Sequence, residues 1–336
     1  MNEEDKSITR ISVIGNGSWA TALIKILTEK EGVEVFWWMR DEESASYIKE
    51  FHHNPKYLSS AELPGKQIHP SNNLEEVIDS GDWILLAVPS AFLGKTLQGI
   101  KLPPGKKYIT AIKGIEPKSK LVVAEYLRQE HGIALDQICL ISGPCHAEEV
   151  ALEKLSYLTV SALNDDLASE LAALLRCRYI KVMQTRDLIG AEYASVLKNI
   201  YAIGSGIAHG LNYGDNFQAV FVSYAIREMK EFLHALHQEN RDVKESAYLG
   251  DLLVTCYSQF SRNRTFGNML GKGYSVKSAQ LEMNMVAEGY YATDLVYQKA
   301  QEIGLEMPIV KAVHEIAYEG KLPRKVFKRL AEEQLY

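Results

Sequence analysis

The chain has 336 residues, with 46% hydrophobic side chains, 24% charged side chains and a formal net charge of -6. That acidic balance excludes nucleic acid as the main partner, because phosphate backbones select basic faces, but it leaves room for a small anion held by a few local cations. The length predicts two domains. The opening segment MNEEDKSITR has neither a basic nor an apolar region, so no signal peptide is expected, and runs such as WILLAV are too short to span a bilayer. Cys139, Cys145, Cys177 and Cys256 form no C-x-x-C pair. They are expected to be reduced thiols of a cytoplasmic protein, with Cys139 and Cys177 in the core.

Strand-like runs come first: RISVIG (Arg10–Gly15), VEVFWWM (Val33–Met39), WILLAV (Trp83–Val88), YITAIK (Tyr108–Lys113), ICLISG (Ile138–Gly143), then SYLTVSA and YIKVMQT. Apolar throughout and separated by helical stretches, they predict a parallel sheet buried on both faces, an α/β doubly wound fold. After about Leu188 helical periodicity takes over, giving an N-terminal Rossmann domain at 1–188 and an all-helical substrate domain at 189–336. Met307-Pro308-Ile309 reads as a helix start, with proline where its missing N–H costs nothing.

The first strand runs into Gly15-Asn16-Gly17 and a helix, with Ala20 closing a G-x-G-x-x-A pattern. This spacing predicts a dinucleotide loop, with the pyrophosphate on the helix N-terminus. The second strand ends in Arg40-Asp41. An arginine there suits a 2′-phosphate, which favours NADP, while NAD stays open because Arg40 can instead stack on adenine or face solvent.

Apart from Glu192 near its start, Lys198 is the one charged residue in the stretch AEYASVLKNIYAIGSG. Its helical face carries Ala191, Ala194, Ser195, Tyr201, Ala202 and Ser205, five of the six small, which allows a ligand pocket or close packing. Burial lowers a lysine's pKa and fits it for proton transfer; the alternative is a lysine snorkelling out of a packed helix. Lys113 ends the fourth strand run, at the sheet edge where open α/β folds bind ligands. The Gly143-Pro144 turn after the fifth run opens a helix whose amides suit an anion. Ser261, Arg262, Asn263 and Arg264 form a cluster suited to a phosphate, or else a solvated face.

Together these residues resemble the bacterial-type NAD(P)-dependent glycerol-3-phosphate dehydrogenases. The matching blocks are GNGSWATAL, NPKYLSSAELP, AIKGIEP, ISGPCHAEEVA, VLKNIYAIGSGIAHGLNYGDN, LGDLLVTCYSQFSRNRTFG, VAEGYYAT and MPI, in the family's order over nearly the whole chain. The resemblance implies interconversion of dihydroxyacetone phosphate and sn-glycerol 3-phosphate, a role in phospholipid synthesis, and a homodimer. It implies that Lys198 is the proton donor or acceptor, assisted by Lys113. It places Lys113, Gly143, Cys145, Lys198, Asp251, Ser261, Arg262 and Asn263 at substrate. At the cofactor it places Gly15, Asn16, Gly17, Ser18, Trp19, Arg40, Lys113, Ala147, Arg262, Val286 and Glu288. Cys145 stands where Ser or Thr is common, His146 where an aromatic is common, and Tyr224 where Arg is frequent, in a bulkier helix that alters either a packing surface or the cleft wall.

Two other readings compete. A β-hydroxyacid dehydrogenase also uses a helix lysine followed by asparagine, but Lys113 and Ser261-Arg262-Asn263 favour the phosphorylated triose. A nucleotide sensor without catalysis conflicts with the full set of Lys113, Lys198, Asp251 and Arg262. No metal is expected: neither His234 and His237 nor His52 and His53 gains a third ligand in sequence.

Overall fold

The computed structural model describes residues 8–283 and 287–334. In chain order the strands are β1 (Thr9–Ile14), β2 (Val33–Trp38), β3 (Ile68–Ser71), β4 (Trp83–Leu86), β5 (Lys107–Thr110), β6 (Ile115–Glu116), β7 (Leu121–Val122), β8 (Ile138–Ser142), β9 (Ser156–Ala162) and β10 (Ile180–Thr185). The chain divides into two compact units. The first gathers Met1–Val88, Phe92–Ile112 and Val123–Leu188; the second gathers Pro89–Ala91, Lys113–Val122 and Ile189–Tyr336.

The first unit is built on one sheet with strand order β10-β9-β8-β5-β4-β1-β2-β3. From β3 to β8 the strands are parallel and follow the doubly wound order, with the chain reversing direction across the sheet between β1 and β4. β4 (WILL) and β8 (ICLIS) are buried at every position, as strands packed on both faces must be. The sheet is not wholly parallel. β9 pairs antiparallel with β8, and β10 then runs parallel to β9. β10 alternates buried and exposed at its start, the mark of an edge strand covered on one face.

Two local features depart from the sequence expectation. β3 (IHPS) escapes a search for apolar runs because it is short and carries Pro70, which an edge strand tolerates. β5 stops at Thr110, three residues before Lys113: the Ile112 N–H turns to Thr110 Oγ1 at 3.3 Å and leaves the ladder.

The second unit is helical apart from the β6–β7 hairpin, whose turn is held by Glu116 Oε2 accepting from Ser119 N–H and Oγ at 2.6 and 2.8 Å. Its central helix, Leu188–Gly210, is buried along most of its length. Close packing explains its small residues. A Cβ on Gly206 would strike the Arg264 carbonyl and one on Gly267 the Ile203 carbonyl, so this helix and Arg262–Gly271 touch backbone to backbone. In the helix Asp215–Leu236, Phe217 and Phe221 join Tyr213 and Phe327 in an aromatic cluster, and Tyr224 packs against the same core. The helix Pro308–Ala317 begins at its proline, as the sequence predicts.

Candidate active site

In the first unit, β1 delivers Gly15 at φ +121°, where a Cβ would lie 2.7 Å from the Ala87 carbonyl oxygen, so only glycine fits. Trp37 Nε1 donates to the Gly15 carbonyl at 2.7 Å, and the Gly15 N–H donates to Trp38 O at 3.2 Å. Gly17 then precedes the helix Ser18–Leu27 with no side-chain cap, and a Cβ on it would meet nothing within 4 Å. A helix N-terminus without a side-chain cap and with open space at Gly17 fits a dinucleotide pyrophosphate. Asn16, Ser18 and Trp19 belong to this same turn. Arg40 is exposed just beyond β2, and Asp41 caps the helix Glu42–Phe51, accepting the Ser44 N–H at 3.0 Å.

Gly143, Cys145 and Ala147 follow β8. The Cys145 thiol donates to the Tyr157 carbonyl at 3.1 Å, a bond that directs this buried side chain onto β9. The helix expected after Gly143-Pro144 starts only at Ala147, runs five residues and carries Glu148 and Glu149 in its first turn. Two carboxylates at its positive end make it a poor anion seat.

In the second unit Lys198 is 4% exposed, and its ammonium donates to Asp251 Oδ1, itself fully buried. The counter-charge of Asp251 accommodates the lone ammonium. Burial is the largest influence on Lys198 and lowers its pKa to about 7; Asp251 opposes the shift, and the nearby Lys113 cation adds to it. Asp251 opens the helix Asp251–Tyr257 immediately after a π-helical turn, Ser246–Gly250. Asn199, next to the catalytic candidate, donates from Nδ2 to the Lys113 carbonyl at 2.9 Å and fixes the chain that carries Lys113.

The Ser-Arg-Asn cluster lies at the start of Arg262–Gly271. Ser261 is its N-cap, its Oγ accepting the Arg264 N–H at 3.3 Å. Asn263 is buried and accepts the Gly289 N–H at 2.9 Å. Arg262 and Glu288 are close enough for the guanidinium to lower the carboxyl pKa, although burial dominates and raises it. Glu288 also binds Ser90, accepting its N–H at 3.0 Å and its hydroxyl.

Of the residues expected at a site, the second unit therefore unites Lys113, Lys198 and Asp251, and separately links Arg262 with Glu288. Ser261, Arg262 and Asn263 share one helix start. Gly15, Asn16, Gly17, Ser18, Trp19, Arg40, Gly143, Cys145 and Ala147 belong to the first unit. Val286 lies outside the described residues. Sequence reasoning passed over Asn199, Ser90 and Asn54 as site residues. Asn199 and Asn54 stood inside quoted blocks, yet their partners are far away in sequence.

The comparisons bear on the whole chain. Family models described as the N-terminus and the C-terminus of NAD-dependent glycerol-3-phosphate dehydrogenase match residues 10–168 and 187–328. The glycerol-3-phosphate dehydrogenase (NAD(P)+) of Exiguobacterium is 35% identical over 327 residues, covering 96% of this chain and 95% of that protein.

The chain belongs to the NAD-dependent glycerol-3-phosphate dehydrogenase family.

The corresponding protein of Halalkalibacterium halodurans is 36% identical, with 93% of this chain and 91% of that protein covered. The crystal structure of glycerol-3-phosphate dehydrogenase from Coxiella burnetii superposes with a TM-score of 0.91 at 29% identity, covering 97% of this chain and 99% of that one. The likeness to that structure therefore extends over nearly the whole of both chains. Among the described residues no helix is long and apolar enough to cross a membrane.

Proposed function

We propose that this chain reversibly reduces dihydroxyacetone phosphate to sn-glycerol 3-phosphate, with NADPH as the preferred cofactor and NADH as an alternative. Family membership supports the reaction. The observation that carries the mechanism is the buried Lys198–Asp251 pair beside Lys113.

The open Gly15-Asn16-Gly17 turn and its uncapped helix fit a dinucleotide, with Ser18, Trp19, Arg40, Ala147, Arg262, Val286 and Glu288 as further contacts. When bound, the reduced nicotinamide supplies the hydride. Lys198 gives its proton to the ketone oxygen as negative charge grows there, and a depressed pKa eases that transfer near neutrality. Asp251 keeps the ammonium in place and limits the fall of its pKa. Lys113 adds a second positive charge toward the developing alkoxide, its backbone held by Asn199. Arg262 and the Asn263 amide nitrogen hold the phosphate and orient the ketone. The Ser261 hydroxyl keeps its own proton to donate while its oxygen caps the helix. Gly143 and Cys145 would border the substrate, but the Cys145 thiol is engaged with the Tyr157 carbonyl and its N–H with the Gly143 carbonyl at 2.8 Å.

In this reading residues 1–188 form the dinucleotide domain and 189–336 the substrate domain, in a cytoplasmic homodimer that supplies glycerol 3-phosphate for phospholipid synthesis. Absorbance of NADPH and then NADH, followed with purified protein and dihydroxyacetone phosphate, tests the reaction. Rapid oxidation is expected. Turnover of hydroxyacids but not of the phosphorylated triose would replace the reading with a hydroxyacid dehydrogenase.

A further inference from the structure

The block NPKYL carries no role in the mechanism above, yet its side chains reach the nucleotide loop. Asn54 is 1% exposed. Its Nδ2 donates to the Asn16 carbonyl at 3.0 Å and to Thr21 Oγ1 at 2.8 Å. Its Oδ1 accepts the N–H groups of Lys56 and Tyr57 at 3.0 and 3.1 Å. One buried amide thus locks the backbone of Lys56 to the glycine turn. From there the Lys56 ammonium reaches Asp41 Oδ1 at 3.1 Å.

This contact changes what the end of β2 can recognise. An acidic residue at that position ordinarily accepts from the ribose 2′-OH of NAD and repels a 2′-phosphate. Asp41 stands there, but its Oδ1 already takes the Ser44 N–H, the Ser44 hydroxyl and Lys56. The Ser44 bonds, chiefly, and Lys56 hold its carboxyl below the usual range, so it stays ionised and paired. Arg40 and Lys56 bring two positive charges beside Asp41, with Glu42 and Glu43 in the first turn of the helix that follows. The side chain of Lys56 is 53% exposed, so its ammonium can turn to an incoming anion.

We propose that Lys56 is a specificity-determining residue: it neutralises Asp41 and, with Arg40, pairs with the 2′-phosphate of NADP(H). The proposal rests on the reading of the chain as a dinucleotide-dependent dehydrogenase and names a second cation at the site where that reading placed only Arg40.

Titration calorimetry with adenosine 2′,5′-bisphosphate and with 5′-AMP tests it without turnover. The wild-type protein is expected to bind the bisphosphate about 10-fold or more tightly than AMP, as charge-assisted contacts allow. Lys56→Met should weaken the bisphosphate about 5- to 10-fold while leaving AMP unchanged or tighter. Lys56→Arg should keep the preference, and Lys56→Glu should reverse it. Equal weakening of both ligands by Lys56→Met would show a loop-folding role and overturn the assignment, as would no effect on either or a wild-type preference for AMP. Intact discrimination in a protein that does not turn over dihydroxyacetone phosphate would refute the proposed reaction while supporting Lys56.

Discussion

The glycine-turn corner and the Lys198 cluster solve opposite problems. The first is made of backbone: Gly15 and Gly17 act through what they lack, and the Lys56–Asp41 pair beside them is solvated. The second is made of buried side-chain charge, with Lys198 and Asp251 5% and 1% exposed. Charge is cheap where water screens it and expensive where water is excluded. A dinucleotide can therefore be held by shape and amides, whereas a proton donor with a shifted pKa has to be built from partners that share its burial.

The contrast breaks most sharply at Lys198. Lys198→Met should lower kcat for dihydroxyacetone phosphate reduction about 1000-fold, within the range for loss of a general acid. It should also lower folding stability by about 3–5 kcal/mol, because the buried Asp251 carboxylate loses the ammonium that balances its charge. Denaturant melts of Lys198→Met and of Lys198→Met with Asp251→Leu check this. The double variant should recover stability but no activity, and full activity in either would end the assignment.

The glycine turn sharpens the comparison from the other side. Gly15→Ala should cost about 2 kcal/mol or more, since the new methyl meets the Ala87 carbonyl in a left-handed backbone. Gly17→Ala should leave Tm nearly unchanged and instead weaken NADPH binding about 10-fold, read by fluorescence titration, because its methyl points into open space where the proposed pyrophosphate would lie. Equal Tm losses in both would show Gly17 to be structural.

The two regions should also differ in pH response. With Lys198 as the proposed proton donor, kcat/KM for reduction should fall as pH rises through about 7, and that for oxidation should rise through the same value. Asp251 raises the lysine pKa and Lys113 lowers it. Asp251→Asn should therefore shift the limb to lower pH and Lys113→Met to higher pH, with shifts of about one unit in kcat/KM profiles.

The smallest effect concerns Glu228, which is buried and accepts the N–H groups of Ile309 and Val310 at 2.8 and 3.1 Å. Burial raises its pKa from 4.5 to about 8. Between those values the folded state holds the extra proton, so stability should fall as pH rises across that window. Lys198 acts in the opposite sense: between about 7 and 10.5 the unfolded state binds more protons, and stability should rise with pH. Urea melts across pH should show the fall in stability over this window flattened in Glu228→Gln.

How far the sequence could be read follows the same divide. The glycine turn is legible because its chemistry spans a few consecutive residues after a strand. Lys198 drew notice as an isolated cation, but its partner lies 53 residues away, Asn199 bonds a carbonyl 86 away, and Ser90 meets Glu288 across 198. Periodicity cannot pair such residues; the family resemblance alone singled out Asp251 and Glu288. β3 was hidden by Pro70, and the reversal at β9 was hidden because apolar runs carry no direction. Arg40 was weighed from its position, whereas Lys56 needed the fold to bring it beside Asp41.

The chain's path between its two units has a consequence for recombination. Pro89–Ala91 and Lys113–Val122 group with the second unit although they are encoded inside the first half. A genetic crossover at residue 188 would transplant Lys198 and Asp251 but leave behind Lys113, the Ser90 partner of Glu288 and the whole hairpin. Shuffling halves between homologues would thus yield hybrids whose Lys198 comes from one ancestor and whose Lys113 comes from another. Such hybrids should be active only where the Asn199 amide of one parent still meets the Lys113 carbonyl of the other, which ties the two halves to descend together.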